Sequence, residues 1–147
     1  MAEEPDILFR NDLSNVDWPA LKAAVAADDF DNGRTPDQLR QSFENSYAVC
    51  IAWEDGQLIG TARALSDGVC NAYLVDVWTA SHFRSRGVAS QMIESLLRRL
   101  EGQHVYLQSA PDTADFYRGL GFVEQPLGLS QIVGQWLKND APDSFPV

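Results

Sequence analysis

One stretch, Arg84-Ser85-Arg86-Gly87-Val88-Ala89, dictates what must surround it. An apolar run, Tyr73-Leu74-Val75-Asp76-Val77-Trp78-Thr79, leads in with strand composition. Val88, Met92, Ile93, Leu96, Leu97 and Leu100 lead out at helical spacing. A strand, a tight turn and a helix in that order gather unpaired N–H groups at the positive end of the helix dipole. The turn is therefore an anion cradle. Gly87 and Ala89 keep the main chain bare enough for a ligand oxygen to approach, and Arg84 and Arg86 add donors. Ser85, Val88 and Ser90 complete the candidate binding loop.

The rest of the chain supplies a mixed α/β context. Ile7 to Arg10 reads as a first strand. Ser14 or Asp17 is placed to cap a helix running to about Ala27, with Trp18, Leu21 and Val25 on one face. After the polar break Asp28–Gly33, Thr35, Pro36 and Gln38 form a capping box for a second helix, to about Asn45. Tyr47–Trp53 and Gln57–Ala64 read as a hairpin around Glu54-Asp55-Gly56. Ser66-Asp67-Gly68 then turns the chain into a strand from Cys70 to Thr79, so an antiparallel meander leads to the loop. Gly102 closes the helix that follows, and His104 to Gln108 is a strand whose crossover implies parallel pairing. Pro111 to Leu120 reads as a short helix ended by Gly121. Phe122–Glu124 opens another strand, Ser130–Lys138 supplies a last one, and Ala141–Val147 is a loose tail, as is the start, 1–6. The expectation is one domain over all 147 residues.

Phe116-Tyr117-Arg118-Gly119-Leu120-Gly121-Phe122 adds a second signature about 30 residues after Gly87, separated from it by one helix and one strand. Arg-x-x-Gly-x-Ala followed by aromatic-Tyr-x-x-Leu-Gly-Phe resembles the GNAT superfamily of N-acetyltransferases, over roughly Tyr47 to Glu124. The resemblance implies a central, mostly antiparallel mixed sheet flanked by helices. It also implies a V-shaped split between the strand before the loop and the parallel strand after it. It further implies direct transfer of an acetyl group from acetyl-CoA to a primary amine, with the phosphates on the loop. Main-chain groups of Val77, Trp78 and Thr79 would orient the pantetheine arm and the thioester. Homodimers are frequent in the family, so a homodimer is an expectation here.

By the same resemblance Tyr117 is the general acid for the departing thiolate. A phenol with a pKa of ~10 is protonated at neutral pH and suits donation; outside the motif, Tyr117 would read as a core aromatic. Many relatives carry a glutamate as base near Val75 or Tyr73, where this chain has no acid. Asp76 is the strand's one carboxylate, but alternation turns it away from the face of Val75 and Val77. It can act as base if a bulge reverses the register; otherwise it is a satisfied structural acceptor or a substrate contact. An ordered water, or an acceptor deprotonated in solution, would do the same work. Ser81 stands where relatives often have Pro, Ser85 where Gly is frequent, and Ala110 where an Asn contacts pantetheine.

Composition bounds the alternatives. Net charge is −10, which disfavours nucleic acid and mildly favours a cationic acceptor. Coenzyme A is an anion, so positive potential must be gathered locally, at Arg84 and Arg86. No apolar run approaches the ~20 residues that cross a bilayer. Met1–Asp6 is acidic and lacks a signal-peptide pattern, pointing to a cytoplasmic protein. Cys50 and Cys70 lie in strand-like runs and read as two buried, reduced thiols. Two cysteines and two histidines, far apart, make no metal set. Nucleoside-triphosphate, dinucleotide and Ser-hydrolase motifs are missing. Two rival readings stand beside a small-molecule amine acetyltransferase: a non-catalytic acyl-CoA-binding module, and an enzyme acting on a peptide amine.

Overall fold

The structure, a computed structural model, describes residues 6–137. It divides into two compact units, with the boundary between Leu107 and Gln108. The first holds a five-stranded sheet, β1 (Ile7–Arg10), β2 (Ala48–Glu54), β3 (Gln57–Ser66), β4 (Asn71–Thr79) and β5 (His104–Tyr106), in that spatial order. The first four strands are antiparallel neighbours, and β5 joins β4 in parallel. Helices α1 (Trp18–Ala27) and α2 (Pro36–Glu44) precede β2, and α3 (Val88–Arg98) connects β4 to β5.

Local chemistry starts each helix. Asp17, rather than Ser14, caps α1 by accepting from the Ala20 N–H at 3.0 Å. Thr35 and Gln38 close the capping box of α2 in both directions, at 2.9 and 3.1 Å. Both helices lay their apolar stripe on one face of the sheet, where Leu21, Val25, Leu39 and Phe43 pack with Val49, Ile51 and Trp78. The other face takes α3, through Val88, Met92, Ile93 and Leu96. Each such buried side chain contributes about 1.5–3 kcal/mol. Contact on that face is close: a side chain on Gly60 would have its Cβ 3.0 Å from Met92 Cε and 3.1 Å from the Trp78 carbonyl oxygen.

The β3–β4 ladder carries a bulge. Val75 faces Arg63 and Trp78 faces Thr61, so Asp76 and Val77 together oppose Ala62. Asp76 takes a left-handed φ of 52°, and the Thr61 hydroxyl donates to its carbonyl at 2.8 Å. The parallel pairing with β5 covers only Asn71–Tyr73, so β4 continues to Thr79 without β5 beside it.

Several expectations are corrected. β4 starts at Asn71, because the Asp67 carboxylate gathers the N–H groups of Val69, Cys70 and Asn71 into a turn. Cys70 is consequently exposed, and only Cys50 is a buried thiol; both are free. β5 stops at Tyr106 rather than Gln108.

The second unit holds α4 (Ala114–Gly119), which starts later than Pro111 because the Thr113 N–H is turned onto the Ala110 carbonyl. No strand forms at Phe122–Glu124. The Phe122 N–H is spent on the Tyr117 carbonyl at 3.1 Å, and Val123 is 79% exposed. Residues 130–137 form no strand either: Gly134 has a φ of 72° and Val133 is 88% exposed. Lys138 and the tail from Ala141 lie outside the described residues, as does most of the expected loose start.

Candidate functional site

The end of β4, a 3₁₀ turn over Ser81–Phe83, and the start of α3 form the cradle. Ser85 and Gly87 both adopt left-handed φ, 65° and 78°, which folds the main chain into a concave run of N–H groups. Gly87 is the N-cap of α3, and no side chain caps that end. The first-turn N–H groups of Val88, Ala89 and Ser90 have no acceptor within the helix. A Cβ on Gly87 would meet nothing within 4 Å, so the space above the helix end is open. Val88 itself is buried and offers only its backbone, whereas Arg84, Ser85, Arg86 and Gly87 are exposed.

Both arginines are held by the protein. Arg84 Nε donates to the Thr79 carbonyl at 3.0 Å, and its Nη2 lies 3.5 Å from Asp28 Oδ2. Arg86 Nη1 donates to Glu54 Oε2 at 3.1 Å, with its guanidinium 5.6 Å from the Phe83 ring centre. The Thr79 carbonyl is thus engaged, while its hydroxyl is buried and has no hydrogen-bond partner among the described residues. That orphaned group is the kind that a bound polar ligand satisfies.

Asp76 is where the sequence reading needed a bulge, and the bulge exists. Its carboxylate, however, is gripped by two cations. Arg34 Nη2 and Nη1 donate to Asp76 Oδ1 and Oδ2 at 2.8 and 3.0 Å, and Arg63 Nε donates to Oδ2 at 2.6 Å. Burial alone would raise the Asp76 pKa, but the bonds and charge of Arg34, with Arg63, outweigh it and hold the carboxyl below the usual range. A carboxylate stabilised in this way is a poor proton acceptor. The geometry is that of a satisfied structural acceptor.

Beside this group lies a cavity lined by Lys22, Phe30, Asp31, Arg34, Thr61 and Asp76 among others. The space at its centre, about 10 Å³, matches a single water.

In the second unit, Tyr117 sits at the third residue from the end of α4. The Phe122 N–H returns to the Tyr117 carbonyl and the Gly121 N–H to that of Arg118, which is the Schellman pattern with Gly121 at φ 96°. The Tyr117 ring meets Phe116 and Phe122 edge to face, at 5.0 and 5.9 Å between centres. The Leu-Gly-Phe part of the signature is therefore the helix stop that fixes this ring. Burial pushes the Tyr117 phenol above its ordinary pKa, so it stays protonated at neutral pH.

Asp28, Glu54, Arg34 and Arg63 were not singled out from sequence. Their partners lie 32 to 56 residues away for the loop contacts, and 13 and 42 for Asp76. One local signal was available: Asp28-Asp29 follows α1, placing carboxylates at the negative end of a helix. Among the described residues no group of three or more His, Cys, Asp or Glu is arranged to hold a metal.

A model of the Acetyltransferase (GNAT) family matches residues 11–122. The chain is 37% identical over 78 residues to GCN5-related N-acetyltransferase 1, chloroplastic, of Arabidopsis thaliana, covering 51% of this chain and 40% of that protein. It is 31% identical over 126 residues to Serotonin N-acetyltransferase 2, chloroplastic, of Oryza sativa subsp. japonica, covering 80% of this chain and 62% of the relative. The chain thus spans about half the length of these curated relatives. A predicted acetyltransferase from Clostridium acetobutylicum, solved with acetyl-CoA, shares the fold. Its TM-score is 0.65 at 19% identity, covering 86% of this chain and 96% of that one.

Proposed function

The chain belongs to the acetyltransferase (GNAT) family, and we propose that it transfers an acetyl group from acetyl-CoA to a primary amine by direct attack. The observation that carries this reading is the uncapped start of α3 at Gly87, with open space where a side chain would stand. Main-chain N–H groups from Arg86 to Ser90 would hold the pyrophosphate, and the free donors of Arg84 would add charge. Val77 and Trp78 would offer backbone to the pantetheine arm. Thr79 would contribute its orphaned hydroxyl, since its carbonyl is already taken by Arg84. That β5 does not accompany β4 beyond Tyr73 supports a V-shaped parting of the two strands along that edge. Acetyl-CoA supplies, when bound, a thioester carbon open to attack by a neutral amine.

By the family signature around it, Tyr117 would supply the proton for the departing thiolate. Its raised phenol keeps that proton available throughout the neutral range. Asp76 is held by Arg34 and Arg63 and takes no proton from the acceptor. The ammonium proton leaves through water, or before the acceptor binds.

The serotonin N-acetyltransferase among the relatives makes an arylalkylamine a natural first acceptor to test. The protein is incubated with acetyl-CoA and a panel of arylalkylamines, aminoglycosides and peptides with free amino groups, and thiol release is followed. Acceptor-dependent release supports the enzyme. Coenzyme A binding with no release across the panel favours a non-catalytic acyl-CoA module instead.

A further inference from the structure

Asp28 stands in a place that local chemistry disfavours. It is the C-cap of α1, where the helix dipole repels a carboxylate, and the next residue, Asp29, takes a left-handed φ of 58° that glycine would adopt more easily. Two adjacent departures from local preference signal a compensating contact elsewhere. That contact is long-range. Asp28 Oδ2 accepts from the Trp78 indole Nε1 at 3.0 Å and from the Ser81 main-chain N–H at 3.1 Å, and it faces Arg84 Nη2 at 3.5 Å.

The donors come from successive parts of the path into the cradle: the end of β4, the first residue of the 3₁₀ turn, and the first arginine of the loop. Arg84 is meanwhile tied to Thr79 through Nε, so two of its five N–H donors are used. Its side chain is 55% exposed against 13% for Asp28, leaving the remaining donors on the open side. Burial would raise the Asp28 carboxyl, but the Ser81 and Trp78 bonds and the Arg84 charge keep it below the ordinary value, hence ionised.

We propose that Asp28 is a positioning residue for the anion loop, which orients Arg84 and fixes the Trp78–Ser81 turn so that the cradle is formed before the acyl donor arrives. This deepens the acetyltransferase reading and rests on it for the identity of the anion. It also links the α1–α2 segment to the loop: Asp28 grips the end of β4, and Arg34, six residues on, grips the bulge at Asp76. Donor binding at the loop is thereby felt at Trp78 and at the end of α1.

The test compares wild type, D28A and D28N by calorimetry with coenzyme A and by the ¹H–¹⁵N indole signals, with Trp78 assigned through W78F. In wild type the Trp78 signal moves on titration with coenzyme A. D28A binds coenzyme A about tenfold more weakly and its Trp78 signal no longer responds, whereas D28N, which keeps an oxygen acceptor, stays within about threefold of wild type. A folded D28A that binds as tightly as wild type, or more tightly, overturns the proposal, as does a D28N no better than D28A. If D28A does not fold, D28S, whose shorter side chain falls short of Trp78 and Arg84, takes its place: weakened coenzyme A binding upholds the proposal and wild-type affinity overturns it. A wild type that binds no coenzyme A refutes the acetyltransferase reading separately. Inorganic pyrophosphate is then the probe, and the same comparison of D28A and D28N with wild type decides for or against Asp28.

Discussion

Replacing Asp76 by Asn separates its two readings. The carboxylate is the shared partner of Arg34 and Arg63, whose side chains are 10% and 12% exposed. Asn keeps the shape and tolerates the left-handed φ of 52°, so the backbone is not the variable. What is lost is the negative charge between two buried guanidinium groups. Removing one partner of a buried ion pair costs about 3–5 kcal/mol, because the other charge stays desolvated. The lower end applies here, since the Asn oxygen still accepts one bond. For a chain of this length that corresponds to a fall in Tm of about 10 °C. The acid limb changes too. Asp76 titrates in the folded protein below its unfolded value, so its stabilisation is complete at neutral pH. It is lost as pH drops from about 4 through the folded pKa. D76N therefore shows a shallower loss of stability in acid. Urea unfolding by circular dichroism between pH 3 and 7 reads both effects. Turnover per folded molecule should fall less than about tenfold with an unchanged pH profile, whereas loss of a general base costs about 10²–10⁴. Wild-type stability in D76N, or loss of the alkaline rise in rate, would refute this reasoning.

Three other substitutions probe the remaining parts. Gly87→Glu places a side chain at φ 78° and a negative charge over the uncapped end of α3, and is expected to abolish coenzyme A binding in calorimetry; retained tight binding would mean the loop is misassigned. Tyr117→Phe is expected to lower kcat by about 10²-fold with coenzyme A affinity unchanged, and an unaltered rate would remove the acid role. Asp29→Gly relieves a left-handed side chain at the α1 stop and should raise stability by about 0.5–1 kcal/mol in urea unfolding; a destabilised variant would show that the Asp29 side chain has a partner of its own.

What was legible in the sequence was what short segments decide. The capping box of α2 needs only Thr35 and Gln38, the β2–β3 hairpin only Asp55 and Gly56, and the apolar face of α3 repeats within a few turns. The bulge at Asp76 has no such local sign. Aspartate tolerates a left-handed φ without demanding it, and the groups that hold it come from Arg63 and from Arg34, 42 residues away. The exposed Cys70 followed from Asp67 collecting N–H groups, which competes with a strand reading of the same apolar residues. Phe122 and Val123 have strand composition, yet the α4 stop claims the Phe122 N–H before any ladder can form. The loop was found because backbone geometry at Gly87 is a local requirement. The carboxylates that hold its arginines were missed because their partners are remote in sequence.

Gly60 gives the close packing of α3 a meaning of its own. Its missing side chain lets Met92 rest directly on the sheet, while the Trp78 carbonyl lies just as near on the other strand. An added methyl group would meet the movable end of the Met92 side chain on one side and the fixed Trp78 carbonyl on the other. Natural drift or laboratory evolution therefore has a route to shift the end of β4 without altering any residue of the loop: one carbon in the middle of β3 bears on the Trp78 carbonyl just before the chain turns into the cradle.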